Sequence, residues 1–231
     1  MTDAARSVMS KAETIEQQSI ALGEELGILA GSTAGVVRIS SVPVIINRIL
    51  VPGLQTLIEL HPHLTMELVP EARNIDLTKR EADLAIRFSR PTQGGLATKA
   101  TKLGQLEFGL FIPADARPGR CENLPWIVYD DAIAFIPQAR WTENLRKQSN
   151  ERLCPLKIAD IETALEATAA GLGKALLPKI IGNKGDRLRA VDLPTRSKTL
   201  SRDVWLLSHT DQDNRPSITA VKSWLRGIDW I

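Results

Sequence analysis

Three polar side chains that can bind a carboxylate stand where buried strands are expected to end. Ser40 and Ser41 close the apolar segment 36–41, and Arg87 closes the segment 83–87. Two hydroxyls and the N–H groups of a helix start can donate to a carboxylate, and a guanidinium can hold one through two parallel bonds. A plain helix cap and a surface ion pair are the structural alternatives. The pattern indicates an anion-binding edge or a set of local contacts.

A second group of polar residues ends a later strand and opens a later helix. Tyr129 and Asp130 follow an apolar strand, and Asp160, Ile161 and Glu162 begin a helix for which Asp160 is the predicted N-cap. In open α/β sheets, ligands bind beyond the carboxyl ends of the strands. We therefore predict that these five residues face the bound ligand.

The charge of the second group predicts how an acidic ligand is oriented. Asp160 and Glu162 put negative charge at a helix start and partly cancel its attraction for anions. The acidic end of a ligand is therefore expected at Ser41 and Arg87, with a zwitterion or a neutral aromatic compound as open alternatives. Three neighbours join the predicted effector-binding set by position only: Val42, Phe88 and Ser89.

Catalytic and metal sites find little support in the residue pattern. The run from Gly171 to Lys174 fails as a phosphate loop, because Thr168 stands five residues before Gly173 and Ala175 replaces the hydroxyl residue. A G-x-S-x-G elbow and an H-E-x-x-H pair are absent from the sequence. The histidines lack carboxylates or cysteines at ligand spacing and are predicted to be surface residues: His61, His63 and His209. We predict no catalytic residue, no metal site and no cofactor.

The composition is that of a globular chain without bias toward nucleic acid or membrane. With 29 basic and 27 acidic residues among 231, the net charge is +2, so partners must be inferred from sites. The two cysteines do not form a C-x-x-C pair, which favours a reducing compartment. The first thirty residues lack the apolar core of a signal peptide, and no apolar run approaches the ~20 residues that a membrane span is expected to need. A cytoplasmic location without membrane contact is expected.

Short apolar strands alternating with helices predict an α/β fold. The segment 158–178 contains a strand end, a helix, a turn at Gly171 and a second buried strand. At Pro113 the composition shifts toward loop residues, which indicates an exit to a second lobe, and the segment 204–207 returns to the first. The chain is therefore expected to form two lobes with a cleft between them.

An apolar seam with a seven-residue repeat runs along the first thirty residues. A heptad repeat of this kind is typical of a dimerising helix, although Gly23 and Gly27 weaken its end. The alternative is an amphipathic helix that folds back on its own domain. The predicted dimerisation residues are Val8, Ile15, Leu22, Leu26 and Leu29.

Several of these segments, taken in order, resemble a known family. The landmarks are Gly35-Val-Val-Arg-Ile-Ser-Ser41, Arg80-Glu-Ala-Asp-Leu-Ala-Ile-Arg87, Ala169-Ala-Gly-Leu-Gly-Lys-Ala-Leu-Leu-Pro178 and the closing helix from Pro216. Together they resemble the effector-binding part of LysR-type transcriptional regulators along nearly the whole chain. The resemblance implies a type 2 periplasmic-binding-protein-like fold, with two Rossmann-like lobes joined by crossover strands after a long N-terminal helix.

The resemblance also implies a domain organisation and a set of partners. A linker helix would occupy 1–30, the first lobe 35–112 with 205–231, and the second lobe 113–204. A small organic effector, expected to be a carboxylate, would bind in the cleft between the lobes, and the chain would form a homodimer or homotetramer. No catalysis is implied.

The beginning of the chain departs from the family pattern. Met1-Thr-Asp-Ala-Ala-Arg6 looks like the motif at which the family's DNA-binding unit ends. The winged helix-turn-helix would precede Met1, so nucleic acid would be bound only through a unit missing here. An excised regulatory fragment, a shortened gene product and a decoy subunit that pairs with full-length regulators are the corresponding hypotheses. A solute-binding protein of the same fold and an enzyme on this fold are the alternatives from other classes.

Overall fold

Two compact units make up the chain. The computed structural model describes residues 2, 7–9, 11–12, 14–15, 18–19, 22–23, 33–71, 81–90, 98–117, 123–193 and 200–230. The first unit contains the described residues of Met1–Val42, Leu50–Thr101 and Trp205–Asp229, and the second those of Pro43–Ile49, Lys102–Val204 and Trp230–Ile231. The lobe boundaries drawn from the sequence stay a prediction.

Parallel strands form the centre of the first unit. Strand β1 (Ala34–Ser41) pairs in parallel with β2 (His63–Pro70) on one side and with β3 (Leu84–Arg87) on the other. Strand β9 (Leu200–His209) pairs antiparallel with β3, which gives the order β2-β1-β3-β9. All four residues of β3 are buried, as expected for a short apolar strand between two others. Because β1 and β3 pair in parallel, with Ser40 opposite Ala85, their carboxyl ends lie at the same edge of the sheet.

The helix that follows β1 changes its geometry midway. Helix α1 (Pro43–Ile45) leads into a π-helical turn (Ile46–Leu50), and α2 (Val51–Leu60) follows directly. Pro52 lacks an N–H group and its ring cannot fit against the carbonyl four residues earlier, so the wider turn lets the helix restart. The continuous run 43–60, with a mean hydropathy of 1.2 over 18 residues, has the length and composition of a membrane span, a criterion that the core helix of a soluble protein also meets.

The second unit contains an antiparallel group of strands and a parallel pair. Strand β4 (Thr98–Pro113) pairs antiparallel with β7 (Ala175–Pro178) and with β8 (Leu188–Val191). Strand β5 (Trp126–Tyr129) pairs in parallel with β6 (Leu153–Ile158). The crossover strands β4 and β9 are neighbours in the sheet order, and each continues from one unit into the other.

Three helices follow strands of the second unit, and the last helix of the chain belongs to the first unit. Asp160 accepts a hydrogen bond of 2.9 Å from the Thr163 N–H, so the predicted N-cap is confirmed. Gly171 has φ +81°, which confirms the predicted turn residue. The helices are α3 (Pro137–Ser149), α4 (Ile161–Ala169), α5 (Lys179–Gly182) and α6 (Pro216–Gly227), with short 3₁₀ turns at Asp131–Ile133 and Thr210–Gln212.

Part of the predicted dimerisation seam is described by the structure. Val8, Ile15 and Leu22 are helical, and they are 67%, 67% and 58% exposed in the single chain. Leu26 and Leu29 lie outside the described residues. The role of the seam in dimerisation stays a prediction.

Substitution of Gly173 is expected to destabilise the second unit. A Cβ atom there would overlap the Pro125 carbonyl oxygen and lie 3.0 Å from Ile127 Cγ1. The strands cannot separate freely at this point, because the Lys174 N–H donates to that same carbonyl at 2.9 Å. We expect Gly173→Ala to lower the free energy of unfolding by about 2 kcal/mol, measured by urea denaturation. Gly227→Ala is the control, since nothing lies within 4 Å of its added Cβ, and equal losses in both variants would contradict the explanation.

Candidate functional site

The structure brings Ser40, Ser41 and Arg87 together at the carboxyl edge of β1 and β3. Arg87 Nη2 donates to Ser40 Oγ at 2.9 Å, and Nη1 donates to the carbonyls of Ser40 and Ile86, each at 2.9 Å. Ser41 Oγ donates to the Ile86 carbonyl at 3.1 Å. Both serines are 0% exposed and Arg87 is 5% exposed, so Arg87 lies in the interior and not at the surface.

Burial sets the electrostatics of this edge. It lowers the pKa of Arg87 to about 10, while the charge of Glu71 acts in the opposite direction. The guanidinium therefore remains charged at neutral pH. Glu71 stands at the end of β2, and its N–H donates to the Ser41 carbonyl at 2.8 Å. A buried positive charge and a serine hydroxyl thus lie beside a helix whose first turn carries no acidic residue.

The neighbours predicted by position differ in exposure. Val42 and Phe88 are half-buried, and Ser89 is exposed. Unlike Ser40 and Arg87, none of these three residues is fully buried at the end of its strand. Their contribution to binding stays a prediction.

The predicted residues of the second unit have several local roles. Asp130 accepts from the Ala132 N–H at 2.9 Å and caps a 3₁₀ turn. Asp160 uses both carboxylate oxygens on Thr163, with the second bond of 2.8 Å coming from the hydroxyl. Ile161 is buried and packs in the core. These contacts account for the residues structurally and leave their binding role a proposal.

Glu162 has a partner that the sequence reasoning missed. Arg48 holds its carboxylate through Nε at 3.0 Å and Nη2 at 2.7 Å, and Nη2 also reaches Glu166 at 2.5 Å. Arg187 donates to Glu166 from the other side at 2.8 Å. The hydrogen bond with Glu162 raises the pKa of Arg48, and burial opposes this change. The negative charge of Glu162 at the start of α4 is therefore compensated within the second unit.

Two further polar residues of the second unit, Arg202 and Gln138, were not predicted. Arg202 Nη1 donates to Gln138 Oε1 at 2.7 Å. Burial lowers the pKa of Arg202 to about 10, and the nearby Tyr129 acts in the opposite direction. No local pattern singled out Arg202, which stands among polar residues just before the buried part of β9.

Two open grooves lie away from these residues. One, of about 640 Å³, runs between α2 and α6 in the first unit and is lined in part by Leu57, Leu60 and Trp224. The other, of about 870 Å³, lies along β4 and β8 in the second unit. Neither groove contains a predicted site residue. Groove volume alone therefore does not identify the candidate site.

Comparison with known proteins assigns the family. The model of the LysR substrate binding domain matches residues 30–228. The chain belongs to the LysR substrate-binding domain family. LysR substrate-binding domains are parts of transcriptional regulators, so the prediction of a regulator-type ligand-binding domain and not an enzyme is confirmed.

Individual relatives agree with the LysR assignment. The chain is similar to the Mau operon transcriptional activator of Paracoccus denitrificans, with 26% identity over 190 residues that cover 81% of this chain. It spans 62% of the length of that relative. Its structure is similar to the regulatory domain of CrgA from Neisseria meningitidis, with a TM-score of 0.67 and 14% identity over 84% of this chain and 98% of that one.

A third relative has the same fold. The regulatory domain of CcmR from Synechocystis PCC6803, solved in complex with 2-PG, matches with a TM-score of 0.60 and 13% identity over 83% of this chain and 96% of that one. The family match and these likenesses confirm the predicted type 2 periplasmic-binding-protein-like α/β fold of LysR substrate-binding domains. The mixed sheet, in which β4 and β9 are neighbouring strands, is consistent with this fold.

Proposed function

We propose that this LysR-type domain senses a small organic carboxylate and is the regulatory part of a cytoplasmic transcriptional regulator. The arrangement of Ser40 and Arg87 is the observation that carries the proposal. A buried guanidinium and a hydroxyl lie 2.9 Å apart at the edge where two parallel strands end. Donors fixed in this way can bind a carboxylate with little loss of side-chain freedom, because neighbouring bonds already order them.

The predicted effector-binding residues belong to both units, and their role in binding is part of the proposal. The predicted effector-binding set is Ser40, Ser41, Val42, Arg87, Phe88, Ser89, Tyr129, Asp130, Asp160, Ile161 and Glu162. The solved complex of the CcmR regulatory domain with 2-PG supports a small ligand in a domain of this fold. An effector with different affinity for two arrangements of the domain would shift their populations.

The response would pass to the oligomer. The exposed apolar residues Val8, Ile15 and Leu22 support a helical dimer contact. A homodimer or homotetramer would then carry the effector's influence to a DNA-binding unit of a regulator. The structure of full-length CbnR complexed with its target DNA supports this kind of partner.

A carboxylate that binds at the proposed edge is expected to raise the melting temperature of the domain. A ligand at a hundred times its Kd adds about 2.7 kcal/mol of stability, which for a chain of this size corresponds to roughly 5–10 °C. Arg87→Gln removes the charged donor and is expected to weaken binding about 30-fold. Thermal unfolding with a panel of carboxylates, followed by calorimetric titration of the best ligand, measures both effects.

Arg38→Gln is the matched control for this experiment. Arg38 lies on β1, the strand of Ser40, its side chain is 49% exposed, and its substitution changes the net charge by the same amount. The control should bind the carboxylate as the parent does. Equal affinities of the Arg87→Gln variant and the parent would show that the acid binds elsewhere, and no response to any carboxylate would refute the proposed ligand class.

A further inference from the structure

The hydroxyl of Tyr129 is a buried polar atom whose hydrogen bonding is unfulfilled. Tyr129 is 7% exposed, and among the described residues no protein atom makes a hydrogen bond with its hydroxyl oxygen. Burying a hydroxyl without a partner is unfavourable, and such groups are rare in folded proteins. Tyr129 is the only tyrosine of the chain. A phenylalanine would fill the same space without this cost.

Tyr129 and the charged residues that act on its phenol belong to the second unit. Tyr129 ends β5, directly before the capping residue Asp130. Arg202 and Asp160 are the charged groups that act on the phenol, and Arg202 is held by Gln138 at 2.7 Å. Arg202 is only half-buried and has a long side chain. A half-buried arginine side chain of this kind can change its rotamer.

We propose that the Tyr129 hydroxyl binds a neutral oxygen atom of the effector, a carbonyl or hydroxyl group, in the second unit. The inference rests on the proposed function. It narrows the ligand class from carboxylates in general to oxo- or hydroxycarboxylates. Arg202 would act beside the hydroxyl as a second donor, positioned by Gln138.

The choice of a neutral oxygen follows from the charges near the phenol. Burial raises the pKa of Tyr129, the carboxylate of Asp160 raises it further, and Arg202 only partly opposes these effects. The phenol is therefore neutral and can donate. The same negative charge of Asp160 disfavours a second anion at this point, whereas a carbonyl or an alcohol oxygen adds no charge.

The first test compares the stability of the parent and Tyr129→Phe without ligand. Removing an unfulfilled buried hydroxyl should raise the melting temperature by about 3 °C or more. Thr168→Val is the control, because the buried Thr168 hydroxyl donates to the Ala164 carbonyl at 2.8 Å. That variant should gain no stability. A melting temperature of Tyr129→Phe at or below that of the parent would show that the hydroxyl has a structural partner and would overturn the inference.

The second test uses two pairs of acids that differ by one oxygen: levulinate against pentanoate, and para-hydroxybenzoate against benzoate. The parent should bind the oxygenated member of at least one pair about tenfold more tightly. Tyr129→Phe should lose this preference and still bind the deoxygenated acid as the parent does.

Each outcome separates the inference from the proposed function. Binding of both members of each pair with equal affinity leaves the carboxylate proposal intact and overturns the role of Tyr129. Retention of the preference in Tyr129→Phe also overturns it. If Arg87→Gln abolishes binding of all four acids while Tyr129→Phe changes only the preference, both proposals are supported. Failure of all four acids to bind the parent overturns the stated ligand class, whatever the stability comparison gives.

Discussion

Replacing Glu151 with alanine is expected to lower the free energy of unfolding by about 3 kcal/mol. Lys174, which is 6% exposed, donates to one Glu151 oxygen at 2.5 Å. The other oxygen accepts from the Trp126 indole N–H and, at 2.8 Å, from the Ser149 hydroxyl. Truncation would leave three donors without this partner, including a buried ammonium group. Urea denaturation at neutral pH measures the loss.

Glu143→Ala is the matched control for Glu151→Ala. Glu143 belongs to α3, its side chain is 41% exposed, and it pairs with Arg146 three residues along the same helix. Because exposed pairs contribute little, this substitution should cost about 0.5 kcal/mol or less. Similar losses in both variants would mean that the buried network does not provide the stability assigned to it.

Asp213→Asn is expected to destabilise the first unit by about 3 kcal/mol near neutral pH. Lys222 donates to Asp213 and to Ser208, whose hydroxyl also donates to Asp213 at 2.9 Å, and Lys99 reaches the second oxygen at 3.0 Å. Lys222 and Ser208 are buried, at 7% and 3% exposure. Burial acts to raise the pKa of Asp213, but the bonds from Lys222, Lys99 and Ser208 outweigh it and lower the pKa to about 2.

The direction of this pKa shift predicts how the difference in unfolding free energy between the parent and Asp213→Asn depends on pH. A folded-state pKa of about 2 lies below the ordinary value of 3.8, so the carboxylate stabilises the parent fully above 3.8. As the pH falls through the folded pKa, the Asp213 carboxylate becomes protonated. The parent then loses its extra stability over the Asp213→Asn variant. Urea midpoints of both proteins measured across this interval test the prediction.

Asp211→Asn is the control for the acid experiment, because Asp211 lies in the same loop with its side chain 85% exposed. Its stability difference from the parent should stay within about 0.5 kcal/mol at every pH. A loss for Asp213→Asn that is independent of pH would indicate a packing defect and not the removal of a charge.

Local patterns were sufficient for several features of this LysR substrate-binding domain. The N-cap at Asp160 and the turn at Gly171 could be predicted because both depend on a few adjacent residues. The strand ends at Ser41 and Arg87 follow from short apolar runs in the same way. The family landmarks combine such local features in order, and the family match confirms the fold that they implied.

Contacts between distant segments could not be predicted in the same way. Arg48 and Glu162 are 114 positions apart, and their pairing removes much of the negative charge that α4 was expected to present. Arg202 and Gln138 are separated by 64 positions, and neither carries a local motif. Side-chain partners of this kind depend on how elements pack, which local sequence patterns do not show.

The sequence by itself determined where the strands end, which residue types stand there and which family the chain resembles, because backbone propensity and apolar periodicity act over short distances. Only the tertiary structure decided that Arg87 is buried against Ser40, that Glu162 is neutralised by Arg48, and that the Tyr129 hydroxyl is enclosed without a described partner. The physical reason is that burial and charge pairing are properties of neighbours in space, which the fold brings together from distant parts of the chain.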